Sequence, residues 1–230
     1  MSKRLQIIFK KNIKPNSKVL DLGCNDLSLS KILKKNKHCY VVAVDREKKM
    51  NEVNEIDEYI DFDLDNGPPD LDYSKIDCIL LLDVIEHLKN PEQFLIKLKK
   101  KIDRYPGISV IISTPNIGFV LIRLMLLFGS FNYGKNGILD KSHTRLFTFS
   151  SFRNLLTQSG FKIKEISGVP APFPLVTGNN LLGKSLMKIN HFFIFLRKTL
   201  FSYQIYSIIY PVTSIELLLE QAKTNANQKK

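Results

Sequence analysis

An α/β fold, a mostly parallel sheet with helices on both faces, is what this chain predicts, on three observations. Short apolar runs recur along it, two of them ending in an acid, with lysine-rich amphipathic stretches between them. The run Ile76 to Leu82 is almost continuously apolar, as in a strand buried on both faces. At 230 residues and 44% hydrophobic composition, the chain can bury a substantial core. One domain is expected over residues 1–220, carrying inserts at 117–140 and 168–202, with a disordered polar tail at 221–230.

In chain order, an amphipathic helix is expected from Leu5 to Asn12. Val19-Leu20-Asp21-Leu22-Gly23-Cys24 reads as a buried strand breaking into a tight turn, with a helix following from Ser28 to Lys35. Tyr40 to Asp45 repeats the arrangement and places a second carboxylate at a second strand end. Glu58-Tyr59-Ile60 makes a short third strand, which runs through the acidic turn Asp61 to Asp65 into the breaker Asn66-Gly67-Pro68-Pro69. After the fourth strand, Pro91 opens a helix to about Lys101, the position where proline is tolerated. Ile108 to Ser113 is the fifth strand, Ser150 to Gly160 a glycine-capped helix, and Phe161 to Ser167 the sixth strand. Tyr203 to Tyr210, stopped by Pro211, is the seventh. The apolar, glycine-punctuated connection before it is too long for a hairpin and is expected to pack as a lid or helical insert.

Composition limits the partners. A net charge of +12 attracts polyanions. The lysines are nevertheless spread widely, with Lys31, Lys34, Lys35 and Lys37, and again Lys97, Lys99, Lys100 and Lys101, on or just beyond helices. They read as a solvated surface rather than a nucleic-acid site, and no stripe of interleaved aromatic and basic residues marks an RNA module. Cys24, Cys39 and Cys78 lie in or beside buried strands without paired spacing, so reduced core thiols in a cytoplasmic protein are expected. Met1 to Leu5 does not resemble a secretory signal. Phe119 to Phe128 and Phe192 to Val212 are apolar but interrupted by Arg123 and by Arg197 and Lys198, so neither spans a bilayer. They read as core or pocket lid ahead of a membrane-surface patch, with a peripheral membrane contact left open by the positive charge.

A strand-to-turn acid and glycine followed by an acid at the next strand end suits a nucleotide-like cofactor, because the second carboxylate can accept hydrogen bonds from a ribose diol. The stretch resembles the class I S-adenosylmethionine (SAM) dependent methyltransferases, with their apolar-Leu-Asp-apolar-Gly-Cys-Gly-x-Gly fingerprint and Rossmann-like, seven-stranded fold. It departs at Asn25 and Leu27, which stand where that family has its second and third glycines. Asparagine tolerates a left-handed backbone, whereas Leu27 is expected to crowd the methionine end of the cofactor. The resemblance implies cofactor contacts at Asp21, Gly23, Asn25 and Asp45, at Asp63 on the adenine amino group with the Leu64 amide, and at Leu82 and Asp83 beside the methionine moiety.

Leu82-Asp83-Val84-Ile85-Glu86-His87-Leu88 is the chemically richest segment. If it is helical, Asp83, Glu86 and His87 at i, i+3 and i+4 project from one face. It resembles the post-strand motif of small-molecule methyltransferases, and the acid-x-x-Glu-His motif of the ubiquinone-pathway O-methyltransferases and the small-RNA 2′-O-methyltransferases. His143 lies in a segment, Gly137 to Thr148, similar to the His-x-Arg-aromatic-aromatic-Thr segment of bacterial glycan- and lipid-pathway methyltransferases. Three readings stand side by side. His87, with Glu86 and His143, forms a general-base site; or Asp83, Glu86, His87 and His143 ligate Mg²⁺, Mn²⁺ or Fe²⁺; or Glu86, His87 and His143 only brace the local structure.

The resemblance implies a SAM-dependent methyltransferase acting on a hydroxyl of a small-molecule, glycan or lipid-linked acceptor, in part hydrophobic, given the apolar inserts. A metal-assisted RNA 2′-O-methyltransferase and a non-catalytic interaction module on the same fold are the alternatives.

Overall fold

Side chains alternate between two faces along each central strand, and the two faces fill different cores. Leu20, Leu22, Ile79, Leu81, Val110 and Ile112 point into the larger cluster, whereas Val19, Cys78, Leu80 and Ile111 point into the opposite one. The computed structural model describes residues 12–46, 55–172 and 181–213. Most of the helix expected from Leu5 to Asn12, the Met1 to Leu5 start and the tail at 221–230 lie outside these residues.

Seven strands form one sheet in the order β3-β2-β1-β4-β5-β7-β6. They are β1 (Lys18–Leu22), β2 (Tyr40–Asp45), β3 (Glu58–Asp61), β4 (Cys78–Leu82), β5 (Ser109–Pro115), β6 (Phe161–Val169) and β7 (Gln204–Pro211). β3 through β5 pair in parallel, and β7 runs antiparallel between β5 and β6. All seven strands stand where the sequence reading put them, within a few residues at their ends.

Helix α1 (Ser28–Lys37) covers one face with Leu29 and Leu33. On the other face lie α2 (Pro91–Ile102), through Phe94, Leu95, Leu98 and Ile102, and α4 (Phe149–Gln158), through Phe152, Leu155 and Leu156. Local chemistry sets the ends. Asn90 caps α2, accepting the Gln93 N–H, with Pro91 in the first turn and Lys99, Lys100 and Lys101 in the last. Thr148 and Ser151 form a capping box on α4. Among the described residues the three cysteines form no disulfide and all are buried, and burial pushes the Cys78 thiol up to about 12.

The expected inserts contain helices. Residues 117–140 hold the short α3 (Val120–Leu127), and 168–202 hold α5 (Leu181–Phe201), whose helical path breaks at Arg197. Both inserts leave from the same sheet edge, because Pro115 at the end of β5 pairs with Gln204 at the start of β7, and Val169 at the end of β6 pairs with the same Gln204. That is also the edge at which β1 and β4 end. Asn116 ties the two inserts together, its amide donating to the Thr199 and Ser202 carbonyls (3.2 and 2.8 Å). Among the described residues, no helix is long and apolar enough to cross a membrane.

Candidate functional site

The turn after β1 is held from three sides. Gly23 turns at φ 74°, and the Gly23 and Cys24 amides both donate to the Val44 carbonyl on β2. The Asn25 N–H donates to the Asp45 carboxylate at 2.8 Å, so the acid at the end of β2 braces the turn after β1. A Cβ on Gly23 would stand 2.4 Å from Val84 Cγ2, which closes the position to every other residue.

Asn25 adopts φ 48°, the left-handed region expected for it. Leu27 adopts φ 57° and corrects the expectation of crowding: its side chain is fully buried with Cys24, Ala43 and Ile56 and lines neither hollow of the cleft. A bulky residue in this region is strained by about 1–2 kcal/mol. Burying a leucine side chain contributes about 1.5–3 kcal/mol in return.

The cleft consists of two hollows of about 240 Å³ each, both lined by Gly23, Asn25, Asp83 and His87. Asp45, Phe62, Asp63 and Leu64 line the first, together with Arg46, Val84 and Leu88; Asp21 and Leu82 line the second. Asp63 also caps the single 3-10 turn Leu64–Asn66, accepting the Asp65 N–H at 2.9 Å. Asp21 accepts the Ser30 hydroxyl at 2.5 Å, and burial pushes its carboxyl up to about 6. The structure thus places every cofactor residue named from the sequence around one cleft.

The segment after β4 is not helical, which corrects the i, i+3, i+4 geometry. Asp83 turns the chain at φ 55°, and residues 85–87 form a tight turn in which the His87 N–H donates to the Val84 carbonyl. The reason lies in the neighbouring strands. Asp83 accepts the Ser113 hydroxyl at 2.8 Å and the Gln204 amide at 2.7 Å, while its own N–H donates back to Ser113. Three bonds to β5 and β7 outweigh a helical turn that would satisfy only local groups. Ser113 and Gln204 are positioning residues the sequence did not reveal, since they lie 30 and 121 residues from Asp83 along the chain.

The turn nevertheless brings the predicted cluster together without Asp83. One ligand atom each from Glu86, His87 and His143 lies within 4.8 Å of the others, and the two imidazole rings meet edge to face at 4.8 Å between centroids. Thr144 fastens the two segments, its hydroxyl donating to the Glu86 and Leu88 carbonyls (3.0 and 2.8 Å) and its N–H to Glu86. Arg145 adds an N–H to the same Glu86 carbonyl and an ion pair with Glu92.

Glu86 is 1% exposed and neither carboxyl oxygen completes a hydrogen bond within the described residues. Burial, and then the Asp83 charge, push its carboxyl well above the usual range; the Thr114 hydroxyl draws it the other way without closing a bond of ordinary geometry. Burial likewise raises Asp83 against the pull of Ser113 and Gln204. His87 Nδ1 faces the Ser142 carbonyl at 3.2 Å and His143 Nδ1 faces the Ile138 carbonyl at 2.9 Å. A carbonyl only accepts, so each Nδ1 carries a proton, and the neutral form of the His87 ring keeps its lone pair on Nε2. Burial lowers the His87 pKa, which favours that neutral form.

Beyond this cluster, a groove of about 310 Å³ runs between α3 and residues 132–139. Phe119, Leu121, Ile122, Met125, Leu139 and Tyr203 supply its apolar wall. Ile138 lines it as well, and its carbonyl is the one that holds His143.

Residues 1–166 match the family model described as a methyltransferase domain. No curated protein matches the chain. The fold is similar to that of a SAM-dependent methyltransferase from Archaeoglobus fulgidus, with a TM-score of 0.58 at 18% identity over 91% of this chain and 93% of that one. A second such enzyme, from Mesorhizobium loti, gives 0.58 at 14% identity over 89% and 96%. Phosphoethanolamine N-methyltransferase 2 of Haemonchus contortus, solved in complex with S-adenosyl-L-methionine, gives 0.57 at 12% identity over 92% of this chain and 53% of that one. At these identities the likeness carries the fold.

Proposed function

This chain belongs to the methyltransferase-domain family, and we propose that as a SAM-dependent methyltransferase it methylates a hydroxyl group, with His87 as the base that takes the hydroxyl proton. SAM, when bound, supplies an already activated methyl group. The protein's own contribution is to hold cofactor and acceptor in line and to keep water out. For the cofactor, Asp45 and Asp63 offer carboxylates at the first hollow, and Asp21, Leu82 and Asp83 surround the second, with Gly23 allowing the close backbone approach.

The observation that carries the assignment is the His87 ring itself. It lines both hollows, and with Nδ1 committed to the Ser142 carbonyl its Nε2 is the atom left to accept a proton. The apolar groove beside the cluster supports an acceptor with a hydrophobic portion, a lipid-linked sugar or a prenylated ring in chemical class. Transfer of labelled methyl from SAM to a panel of such alcohols tests this. His87→Gln is expected to lower kcat by about a hundredfold or more with the KM for SAM unchanged. An unchanged kcat sinks the assignment.

A second reading is favoured by the orphaned Glu86 carboxyl. Glu86, His87 and His143 suit a divalent cation in donor type and spacing, and both histidines donate Nδ1–H to a carbonyl as metal-ligating histidines do. A cation held by these three residues would lower the pKa of the acceptor hydroxyl. Asp83 is not part of this set, being committed to Ser113 and Gln204. Activity lost to a chelator and restored by Mn²⁺ selects the metal; activity indifferent to the chelator leaves His87 as the base alone.

A further inference from the structure

Both inserts present apolar stripes to water. On α3, Leu121, Leu124 and Phe128 follow a spacing of three and four residues, and all are exposed, Phe128 by 81%. On α5, Ile189, Phe192 and Leu196 repeat the same spacing, with Phe195 beside them at 86%. The opposite side of α3 is ordinary core, where Phe119 and Ile122 pack with Ile138, Leu139 and Ala171. One face of α3 is therefore core, one of the two readings expected of the Phe119 to Phe128 stretch, while the described residues leave its other face uncovered.

The charge of these segments is as uneven as their polarity. Residues 117–140 and 168–202 carry six Lys and Arg against the single acid Asp140, so five of the chain's twelve net positive charges belong to the two inserts. Arg123 and Arg197 are exposed on the very helices that bear the stripes. Apolar side chains on helices that also carry exposed cations fit an anionic lipid surface, where burial of the stripe and attraction to headgroups act together. A second copy of this chain fits poorly, because pairing like with like sets the same excess of cations against itself.

We propose that α3 and α5 form one docking surface for an anionic lipid bilayer, on which the protein lies without spanning it. The surface shares a sheet edge with the cofactor cleft, and Leu121 belongs both to the exposed stripe and to the wall of the acceptor groove. A docked molecule thus turns its groove toward the acyl layer. That last point rests on the acceptor proposed above, whereas docking does not.

Flotation of the full chain with vesicles tests the proposal, using phosphatidylcholine alone and phosphatidylcholine containing one third phosphatidylglycerol. Binding is expected to the anionic vesicles, to be about tenfold or more weaker on the neutral ones, and to fall as salt rises. Phe128→Ser combined with Phe195→Ser is expected to weaken anionic binding by about tenfold or more. Neither residue lines the cleft or groove, so the variant keeps its melting midpoint, a readout that stands even if the methyl acceptor is misassigned. No binding to anionic vesicles overturns the proposal, as does binding that the double substitution leaves intact. A dimer by light scattering that the same substitution dissolves assigns the face to a second copy instead.

Discussion

The two halves of the sheet's C-terminal edge are built by different means. On the β3-β2-β1-β4 side, the cofactor acids and Gly23 sit at strand ends or in the turns that follow, held by short local bonds such as that from the Asn25 N–H to Asp45. On the β5-β7-β6 side, side chains arrive on inserted helices and loops, and many stay in contact with water. The first half is a rigid product of backbone path. In the second, side chains can change without disturbing the sheet, which is where specificity for an acceptor and a surface is most readily placed.

The largest effect is expected from striking the rigid half at its tightest point. Gly23→Ala drives a Cβ into Val84 at a left-handed φ, and calorimetric titration is expected to show SAM affinity reduced by about a hundredfold or more. Wild-type affinity in this variant would mean that the cofactor does not approach the Gly23 turn. Leu27→Ala sharpens the contrast from the other direction. Because Leu27 is wholly buried away from the cleft, it is expected to lose about 2–4 kcal/mol in denaturant unfolding while SAM affinity stays within about twofold.

Asp21 offers a test through pH. Its folded pKa, about 6, lies above the model-peptide value of 3.8. Below about pH 4 both states are protonated and nothing is lost; between there and pH 6 the unfolded chain ionises first, so stability falls as pH rises, and above that the deficit is constant. Asp21→Asn removes the deficit and can still accept the Ser30 hydroxyl. It is expected to be more stable than the parent by up to about 3 kcal/mol at pH 8, the gain vanishing near pH 4. A gain independent of pH breaks the argument.

The smallest effect falls on the seam between the halves. Thr144→Val removes the hydroxyl that joins the His143 loop to the Glu86 turn, and about 1 kcal/mol of stability is expected to go with it. Methyl transfer is expected to fall by more than this loss accounts for, because the two imidazoles lose their common tether. Equal losses in stability and rate would make Thr144 merely structural.

Much of the cofactor half was legible in residue order. Apolar runs ending in Asp21-x-Gly23 and at Asp45 encode strand, turn and carboxylate within a few positions, and the local rule for Asn25 held. Leu27 misled because a left-handed backbone there swings its side chain inward, and only the space beside Ala43 and Ile56 reveals where it goes. The Asp83-Glu86-His87 spacing misled similarly, since the helix it suggests is overridden by bonds from Ser113 and Gln204.

Periodicity and turn chemistry by themselves therefore determined the alternation of strands and helices, the glycine turn and the acids beside it, since each depends on neighbours within a few residues. Tertiary structure alone decided that Glu86 would be buried beside two imidazoles with no hydrogen bond completed among the described residues, that Asp83 would be committed to Ser113 and Gln204, and that the described residues would leave one face of each insert's helix exposed. Those outcomes depend on contacts between residues tens of positions apart, and no local pattern encodes which of them forms.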